Sequence, residues 1–367
     1  MSPDTDPFYA GATISDQRYF VGYQSQLDTI TVRAVSALPT SINVIGKNRI
    51  GKSSLLYNFC QTYEERITSR EKDPRNFLAV YISLQQGNCQ SKSGFYRVIA
   101  EELAKILQPQ FNWFRQPKKL LQDLKKTSFD TDSFYEAMIQ FREVGILPII
   151  CLDDIESLFQ QPEEFDKGFY DSLRSLMDKS ALMLIIASDK SLKVYSKQKK
   201  LTSSFFNVGQ VIKLEGYSQF EAGDLVRLPQ TIISEQEAAL SEAEQKTALE
   251  WGGKNPYLLQ LAGLYLWEAK KSNENTAWTR KKFERQAQGI SSRHSIRGKC
   301  WRFIRWLFWR IPVRLGRAIY FIGSNFGEVA NGILGLIMIG LIIFVCLGIL
   351  PIQDLLKAIL DAIGLGG

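Results

Sequence analysis

The residues best suited to do chemistry form a glycine-rich run at positions 46–53, with the sequence GKNRIGKS. This run matches the pattern GxxxxGK[ST] at every defined position. Glycines let such a loop curl so that backbone N–H groups face phosphate oxygens, and the lysine, Lys52, reaches the outer phosphates. The hydroxyl of Ser53 would bind Mg²⁺. We expect seven residues of this region to contact a nucleoside triphosphate: Gly46, Asn48, Arg49, Gly51, Lys52, Ser53 and Ser54.

A second group of candidate residues ends an apolar run at positions 149–152 (IICL), which leads into two aspartates. The first aspartate, Asp153, is placed to hold Mg²⁺ through water. The next, Asp154, falls where a carboxylate activates the attacking water, and Glu156 is a second candidate for that role. For Asp154 and Glu156 the alternative is an ordinary solvated strand end.

The elements that must position these motifs alternate apolar runs with amphipathic helices up to about residue 216. Five runs predict strands, at residues 42–45, 77–84, 148–152, 182–187 and 210–214. Helical periodicity separates them at residues 53–68, 95–107, 133–143 and 166–178. Near-continuous apolar strands that alternate with helices are typical of a parallel sheet covered on both faces. The predicted fold class is therefore α/β with a five-stranded parallel sheet, and with the loop at 46–53 between a strand and a helix it resembles that of a P-loop NTPase.

The sequence divides into six predicted segments. In chain order they are a tail (1–15), the α/β core (16–216), a helical lid (217–290), a basic aromatic juxtamembrane segment (291–327), a transmembrane helix (328–352) and a short C-terminal tail (353–367). The lid segment is expected to be helical throughout, with breaks at Pro229 and at residues 252–256.

Over residues 16–270 the chain resembles the AAA+-like P-loop ATPases, in particular their STAND-type and archaeal-type branch. Val21 and Gly22 are similar to that branch's element that cups the adenine, although Tyr23 and Gln24 stand where the branch has Arg and Glu. The strand end at Ser188 and Asp189 is similar to the sensor position that faces the γ-phosphate. Residues 252–259 (GGKNPYLL) are similar to the motif that opens the lid, in which Pro256 packs on the base. The resemblance implies ATP and Mg²⁺ as ligands, ADP as product and a homo-oligomer.

The family's arginine finger has no clear counterpart, because no arginine occurs between Arg174 and Arg227. Lys199, Lys200 or Arg174 could serve, or no finger exists; for Arg174 a surface salt bridge is the favoured interpretation. Loss of such a finger slows hydrolysis by ~10³–10⁵. The resemblance therefore implies a slow ATPase, closer to a nucleotide-held switch than to a motor.

The C-terminal part predicts a membrane anchor. Residues 332–350 (GILGLIMIGLIIFVCLGIL) carry no charge, and 19 residues of helix at ~1.5 Å each reach ~29 Å, about the thickness of the hydrocarbon core. Residues 278–317 hold twelve Lys or Arg and one acid, and residues 301–322 form a basic amphipathic helix pattern rich in Trp and Phe. The positive-inside rule then places the N-terminal bulk in the cytoplasm, as a single-pass protein. The alternatives are a buried core helix and a basic surface for nucleic acid.

Composition excludes several other classes of protein. The single histidine, His294, argues against Ser-His-Asp hydrolysis, and the five cysteines lack zinc or disulfide spacing. The leading hypothesis is a membrane-anchored ATP-dependent switch that self-assembles, in signalling or defence, with the transmembrane segment as effector and a protein as possible trigger. The alternative is a constitutive membrane-tethered ATPase of a transport, remodelling or division complex. Nucleic acid is an unlikely partner.

Overall fold

The computed structural model describes residues 6–107, 126–199, 201–231, 234–272 and 276–291, together with residues 119, 122 and 124. The chain divides into two units, Met1–Ile290 and Ser291–Gly367. Apart from Ser291, the described residues all belong to the first unit.

The centre of the first unit is a five-stranded, all-parallel sheet, as the sequence predicts. Its strands are β1 (Ile42–Ile45), β2 (Phe77–Ser83), β3 (Leu147–Asp153), β4 (Met183–Ser188) and β5 (Gln210–Lys213). They run in the order β2-β3-β4-β1-β5. Because the strands are parallel, their carboxyl ends share one edge of the sheet, and that edge carries both predicted motifs.

Helices cover both faces of the sheet, so the central strands β3 and β4 are buried on both sides, whereas the edge strand β5 is largely exposed. In β3, Ile149 and Cys151 belong to one buried cluster, whereas Ile150 and Leu152 belong to the other. The first cluster is covered by α1 (Gln24–Ala34) and α2 (Lys52–Thr68), the second by α3 (Lys92–Ile106), α4 (Thr131–Glu143) and α5 (Lys167–Asp178). The short helix α6 (Leu192–Lys199) follows β4.

Side-chain caps fix where several of these helices begin. Asp130 accepts a hydrogen bond from the backbone N–H of Ser133 at the start of α4, and Asp166 does the same for Phe169 at the start of α5. Such caps satisfy backbone donors that have no partner within the helix, and each contributes ~1 kcal/mol.

The lid contains the helices α7 (Gln219–Val226), α8 (Glu242–Gly252), α9 (Pro256–Ser272) and α10 (Thr276–Ser291). Between α7 and α8 it also contains two antiparallel strands, β6 (Pro229–Thr231) and β7 (Ser234–Ala238), so the lid is not helical throughout. Leu225 of α7, Ala248 of α8 and Leu259 of α9 all join the first buried cluster of the core.

Residues 8–14 form a strap without regular secondary structure that contacts both the core and the lid. The sequence predicts a tail over these residues, yet Phe8 is only 2% exposed and its ring fills the space that a Cβ on Gly263 of α9 would take. The backbone N–H of Ile14 donates to Ser54 Oγ over 3.1 Å. The N-terminal strap, residues 8–14, is therefore part of the packed unit.

The predicted juxtamembrane segment (291–327), transmembrane helix (328–352) and C-terminal tail (353–367) lie outside the described residues, except for Ser291. Within the described part of the chain, no helix combines the length and the apolar character needed to cross a bilayer.

Candidate functional site

The glycine-rich loop joins the end of β1 to the start of α2, as the motif requires. Gly51 has φ +97° and is the N-cap of α2, while Arg49 lies in the left-handed region at φ +61°. A Cβ on Gly46 would lie 2.7 Å from Ile50 Cγ2 and 3.2 Å from the carbonyl oxygen of Leu214. Glycine is therefore required at 46 for space and at 51 for backbone conformation. Backbone N–H groups in the first turn of a helix have no acceptor within the helix, so the start of α2 at this loop is suited to bind an anion.

The ammonium of Lys52 lies inside the loop and is only 10% exposed. Its Nζ donates to the carbonyl oxygens of Gly46 at 2.8 Å and Lys47 at 3.3 Å. It also forms an ion pair with Asp189 Oδ1 at 2.8 Å, and that carboxylate is 57% exposed. Lys52 thus has two fixed carbonyl partners and one acidic partner that solvent or a ligand can reach.

Asp153 ends β3 and is 3% exposed. Its carboxylate accepts two hydrogen bonds, from the hydroxyl of Tyr81 at 2.7 Å and from the backbone N–H of Asp154 at 3.1 Å. Tyr81 lies on β2, two residues before Ser83, which pairs in register with Asp153. Tyr81 was not predicted from the sequence, and the strand register is the only signal that would have indicated it. Burial and the charge of Asp153 raise the pKa of Tyr81, so this hydroxyl stays a donor.

Asp154 follows with a left-handed backbone, φ +57° and ψ +51°. Its pKa is raised to about 6, first by burial and then by the negative charges of Asp153, Glu156 and Asp189, with Lys52 acting in the opposite direction. A carboxylate with such a pKa is mostly ionised at pH 7 yet more basic than an ordinary aspartate. Asp154 lines the same cleft as Lys52 and is the better placed of the two general-base candidates.

Glu156, the second candidate for the general base, contacts Asp189 and Tyr195. Its Oε1 accepts from the backbone N–H of Asp189 at 2.8 Å and from the hydroxyl of Tyr195 at 2.7 Å. Burial and hydrogen bonding to Glu156 raise the pKa of Tyr195, which keeps this donor protonated. Glu156 is not among the residues that line the cleft in the described part of the chain. Glu156 therefore contacts Asp189, which in turn contacts Lys52.

The two sensor candidates separate clearly in the structure. Ser188 is 1% exposed; its hydroxyl donates to the carbonyl oxygen of Lys190 at 2.7 Å and accepts from Asn43 Nδ2 at 2.7 Å. Asn43 also accepts from the backbone N–H of Leu192 at 3.0 Å, so it ties β1 to the loop after β4. Ser188 is a structural group, and Asp189 is the sensor candidate that reaches the cleft.

Most predicted contact residues converge on one cleft of about 320 Å³ between the loop, the strap and the lid. Nine of them line it: Asn48, Arg49, Gly51, Lys52, Ser53, Ser54, Asp154, Asp189 and Pro256. The guanidinium of Arg49 lies 4.5 Å from the ring centroid of Tyr257 on α9, a cation–π contact between loop and lid. The strap and the lid side chains Tyr257 and Gln260, which also line the cleft, were not predicted from the sequence.

Val21 and Gly22 do not line the cleft but support it. The hydroxyl of Tyr217 donates to the carbonyl oxygen of Val21, and a Cβ on Gly22 would lie 2.8 Å from Tyr217 Cε1. Tyr23 bonds to the loop instead, since its hydroxyl donates to the carbonyl oxygen of Ile50 at 2.6 Å. Burial raises the pKa of both tyrosines. Tyr217, a lid residue, lines the cleft, so Val21 and Gly22 are connected to the cleft through their contacts with Tyr217.

Two of the three candidates for an arginine finger, Arg174 and Lys199, belong to the described residues, and neither lines the cleft. Arg174 forms an ion pair with Asp178 one turn along α5, at 2.8 Å, as the favoured interpretation expects. Lys199 is exposed at the end of α6, and Lys200 lies outside the described residues.

Comparison with known proteins identifies a family and similar folds. The sequence profile of a family described as an AAA-like domain matches residues 9–282. Among solved structures, the chain is similar to a Walker-type ATPase of Pyrococcus abyssi, at 15% identity over 79% of this chain and 77% of that chain, with a TM-score of 0.50. It is also similar to the ORC2 protein of Aeropyrum pernix in ADPNP-ADP complexes, at 13% identity over 73% and 71% of the two chains, with a TM-score of 0.49.

At these identities the structural likenesses concern the fold alone. No functionally curated protein matches the sequence. The family match covers most of the chain, including the loop, the strand end at Asp153 and the lid. The chain therefore belongs to the AAA-like domain family, whose fold is that of the P-loop ATPases.

Proposed function

We propose that this protein is an ATP- and Mg²⁺-binding switch ATPase that is anchored to a membrane by its C-terminal part. The observation that carries the nucleotide half of the proposal is the convergence of Gly51, Lys52, Ser53, Asp154 and Asp189 on one cleft. The donor set fits a triphosphate: backbone N–H groups at a helix start, an enclosed ammonium and glycines where any side chain would clash. ATP rather than another nucleotide follows from the family resemblance.

The residues also fit a magnesium ion. The Ser53 hydroxyl lines the cleft, and the carboxylate of Asp153 is held in one orientation by Tyr81 and the N–H of Asp154. Hydroxyl, carboxylate and phosphate oxygens are the ligands Mg²⁺ prefers, and the ion would neutralise charge on the outer phosphates. We assign Ser53 as its direct ligand and Asp153 as the acid that orients its water shell.

The residues of the site suggest how ATP is hydrolysed and why this hydrolysis is slow. Asp154 accepts the proton of the attacking water, while Lys52 stabilises charge on the β- and γ-phosphates. A γ-phosphate competes with Asp189 for the Lys52 ammonium, so the Asp189–Glu156–Tyr195 chain of hydrogen bonds responds to the third phosphate. With no arginine between Arg174 and Arg227 to act as a finger, hydrolysis is slow and the bound state persists.

A nucleotide in this cleft contacts both core and lid. Arg49 of the phosphate-binding loop contacts the ring of Tyr257 in the lid. At the start of the lid, the backbone N–H of Tyr217 donates to the carbonyl oxygen of Lys254, just before α9, at 2.7 Å. ATP therefore favours one arrangement of the lid over others, and that arrangement favours self-association.

The membrane half of the proposal is supported by the sequence of residues 328–352 and by the basic, aromatic segment that precedes it. In this proposal the N-terminal bulk is cytoplasmic, assembly gathers the transmembrane segments, and these act as the effector in signalling or defence, with a protein as trigger. The alternative is a constitutive tethered ATPase of a transport, remodelling or division complex, in which the segment is a passive anchor.

Membrane fractionation and size analysis of the full chain test this proposal, with ATP, ADP or no nucleotide. We expect the wild type to remain with membranes throughout and to form larger assemblies with ATP only. Lys52→Ala should stay on membranes and fail to assemble, whereas the exposed lid substitution Lys246→Ala should behave as wild type. A chain that is fully soluble without detergent, or assembly that ignores Lys52, would contradict the proposal.

Replacement of residues 328–352 by an unrelated membrane helix separates the two versions. A passive anchor tolerates the exchange without loss of the protein's effect on the cell. An effector segment does not, even though the exchanged protein still binds ATP and membranes.

A further inference from the structure

The lid side chain Gln260 has a polar group that the ATPase mechanism does not use. Gln260 lines the cleft and is 2% exposed. Its Oε1 accepts the backbone N–H of Tyr9 at 2.9 Å, across 251 residues of sequence. Its Nε2 is enclosed and has no acceptor within the described part of the chain.

The hydrogen bond from Tyr9 determines which polar atom of the Gln260 amide has no partner. A backbone N–H is a donor only, so the amide oxygen must face Tyr9 and the NH₂ group must point elsewhere. The leftover group is therefore a donor, and an enclosed donor without a partner is unfavourable until an acceptor reaches it. The cleft beside it is where such an acceptor would come from.

The surroundings of Gln260 suit a flat ring more than a phosphate. Tyr9, Ile14, Leu225 and Tyr257 line the same cleft and offer aromatic and aliphatic surface. The strap runs from Ser54, beside the phosphate-binding loop, to Gln260 on the lid. A nucleotide whose phosphates lie in the loop would extend its base along this strap.

We propose that the N-terminal strap and Gln260 form the nucleobase subsite, in which Gln260 Nε2 donates a hydrogen bond to a ring nitrogen of adenine. This inference rests on the proposed binding of ATP and names the residues that select the base. It also assigns the strap, residues 8–14, to the binding site and not to a free tail.

The test compares ATP with inorganic tripolyphosphate, which has no base, by equilibrium titration of the full chain with Mg²⁺ at pH 8. Gln260→Glu keeps an acceptor for Tyr9 but loses the donor, and Gln260→Met loses both. We expect each variant to bind ATP ~10-fold more weakly or worse and tripolyphosphate as the wild type does. Gln219→Glu, an exposed change on the lid, should alter neither affinity.

Deaza analogues of ATP, in which one ring nitrogen is replaced by C–H, test the wild type without any mutation. The wild type should bind one of the three analogues ~10-fold more weakly than it binds ATP. Gln260→Glu should bind that same analogue as tightly as it binds ATP. Equal binding of all three analogues by the wild type would overturn the inference. So would variants that keep full ATP affinity, or that lose ATP and tripolyphosphate alike. A wild type that binds neither ligand would overturn the proposed function itself.

Discussion

Tyr81→Phe isolates one hydrogen bond at the predicted magnesium site. The substitution keeps the ring, which packs edge-on against Tyr57 with centroids 5.5 Å apart, and removes only the hydroxyl that donates to Asp153 over 2.7 Å. Asp153 is 3% exposed, so water cannot easily replace the lost donor. A hydrogen bond to a charged group contributes ~1.5–3 kcal/mol, and we expect a loss of ~2 kcal/mol in the free energy of unfolding.

Thermal and urea unfolding of the full chain measure this loss. At ~2–4 °C per kcal/mol, the midpoint of Tyr81→Phe should fall by ~4–8 °C. The control is Tyr265→Phe, which removes a hydroxyl that donates to Gln286 on the lid surface and should change stability by less than ~0.5 kcal/mol. If the two variants unfold alike, the Tyr81 hydroxyl does not hold Asp153, and the description of this site is wrong.

Three further predictions concern the acids and the strap. Burial and nearby carboxylates raise the pKa of Asp154 from 3.8 to about 6, so its ionisation lowers the free energy of unfolding as the pH rises from about 4 to about 6. After discounting for partial exposure, Asp154→Asn should stabilise the fold by ~1–2 kcal/mol at pH 8 and by little at pH 3, and Asp132→Asn should do so at neither pH. Glu156→Gln should retain most ATP hydrolysis, since an amide oxygen still accepts both hydrogen bonds, whereas Asp154→Asn should lower kcat by ~10²-fold or more; equal losses would reject the assignment of the base. Gly263→Ala, where a Cβ meets the strap, should destabilise by ~1–3 kcal/mol in urea unfolding, and Gly223→Ala, where a Cβ meets nothing, should not; a reversed order would show that the strap is not packed there.

The sequence predicted the sheet and the loop because their signals are local. The five strands are short runs dominated by apolar residues, and the loop at 46–53 carries its own spacing of glycine, lysine and serine. The strands at Pro229–Thr231 and Ser234–Ala238 were missed, because a segment such as SEQEA has no alternation and no β-branched residue. There the pairing with a neighbouring strand decides the structure, and local propensity does not.

The missed parts of the site depend on contacts between distant residues. Tyr81 finds Asp153 across 72 residues, and Tyr9 finds Gln260 across 251. A single sequence cannot indicate such pairs, although the aromatic residues of the strap were unusual for a free tail. The choice between Ser188 and Asp189 likewise required the structure, because the hydrogen bonds from Asn43 and to the carbonyl oxygen of Lys190 show that the Ser188 hydroxyl already has partners.

The most direct measurement of the central claim is calorimetric titration of the purified full chain with ATP in the presence of Mg²⁺. We predict saturable binding of ATP by the wild type and by Lys246→Ala. Lys52→Ala should bind ATP ~10²-fold more weakly or worse, because the substitution removes the enclosed ammonium that contacts the phosphates. Absence of binding by the wild type, or equal affinity in Lys52→Ala, would contradict the account.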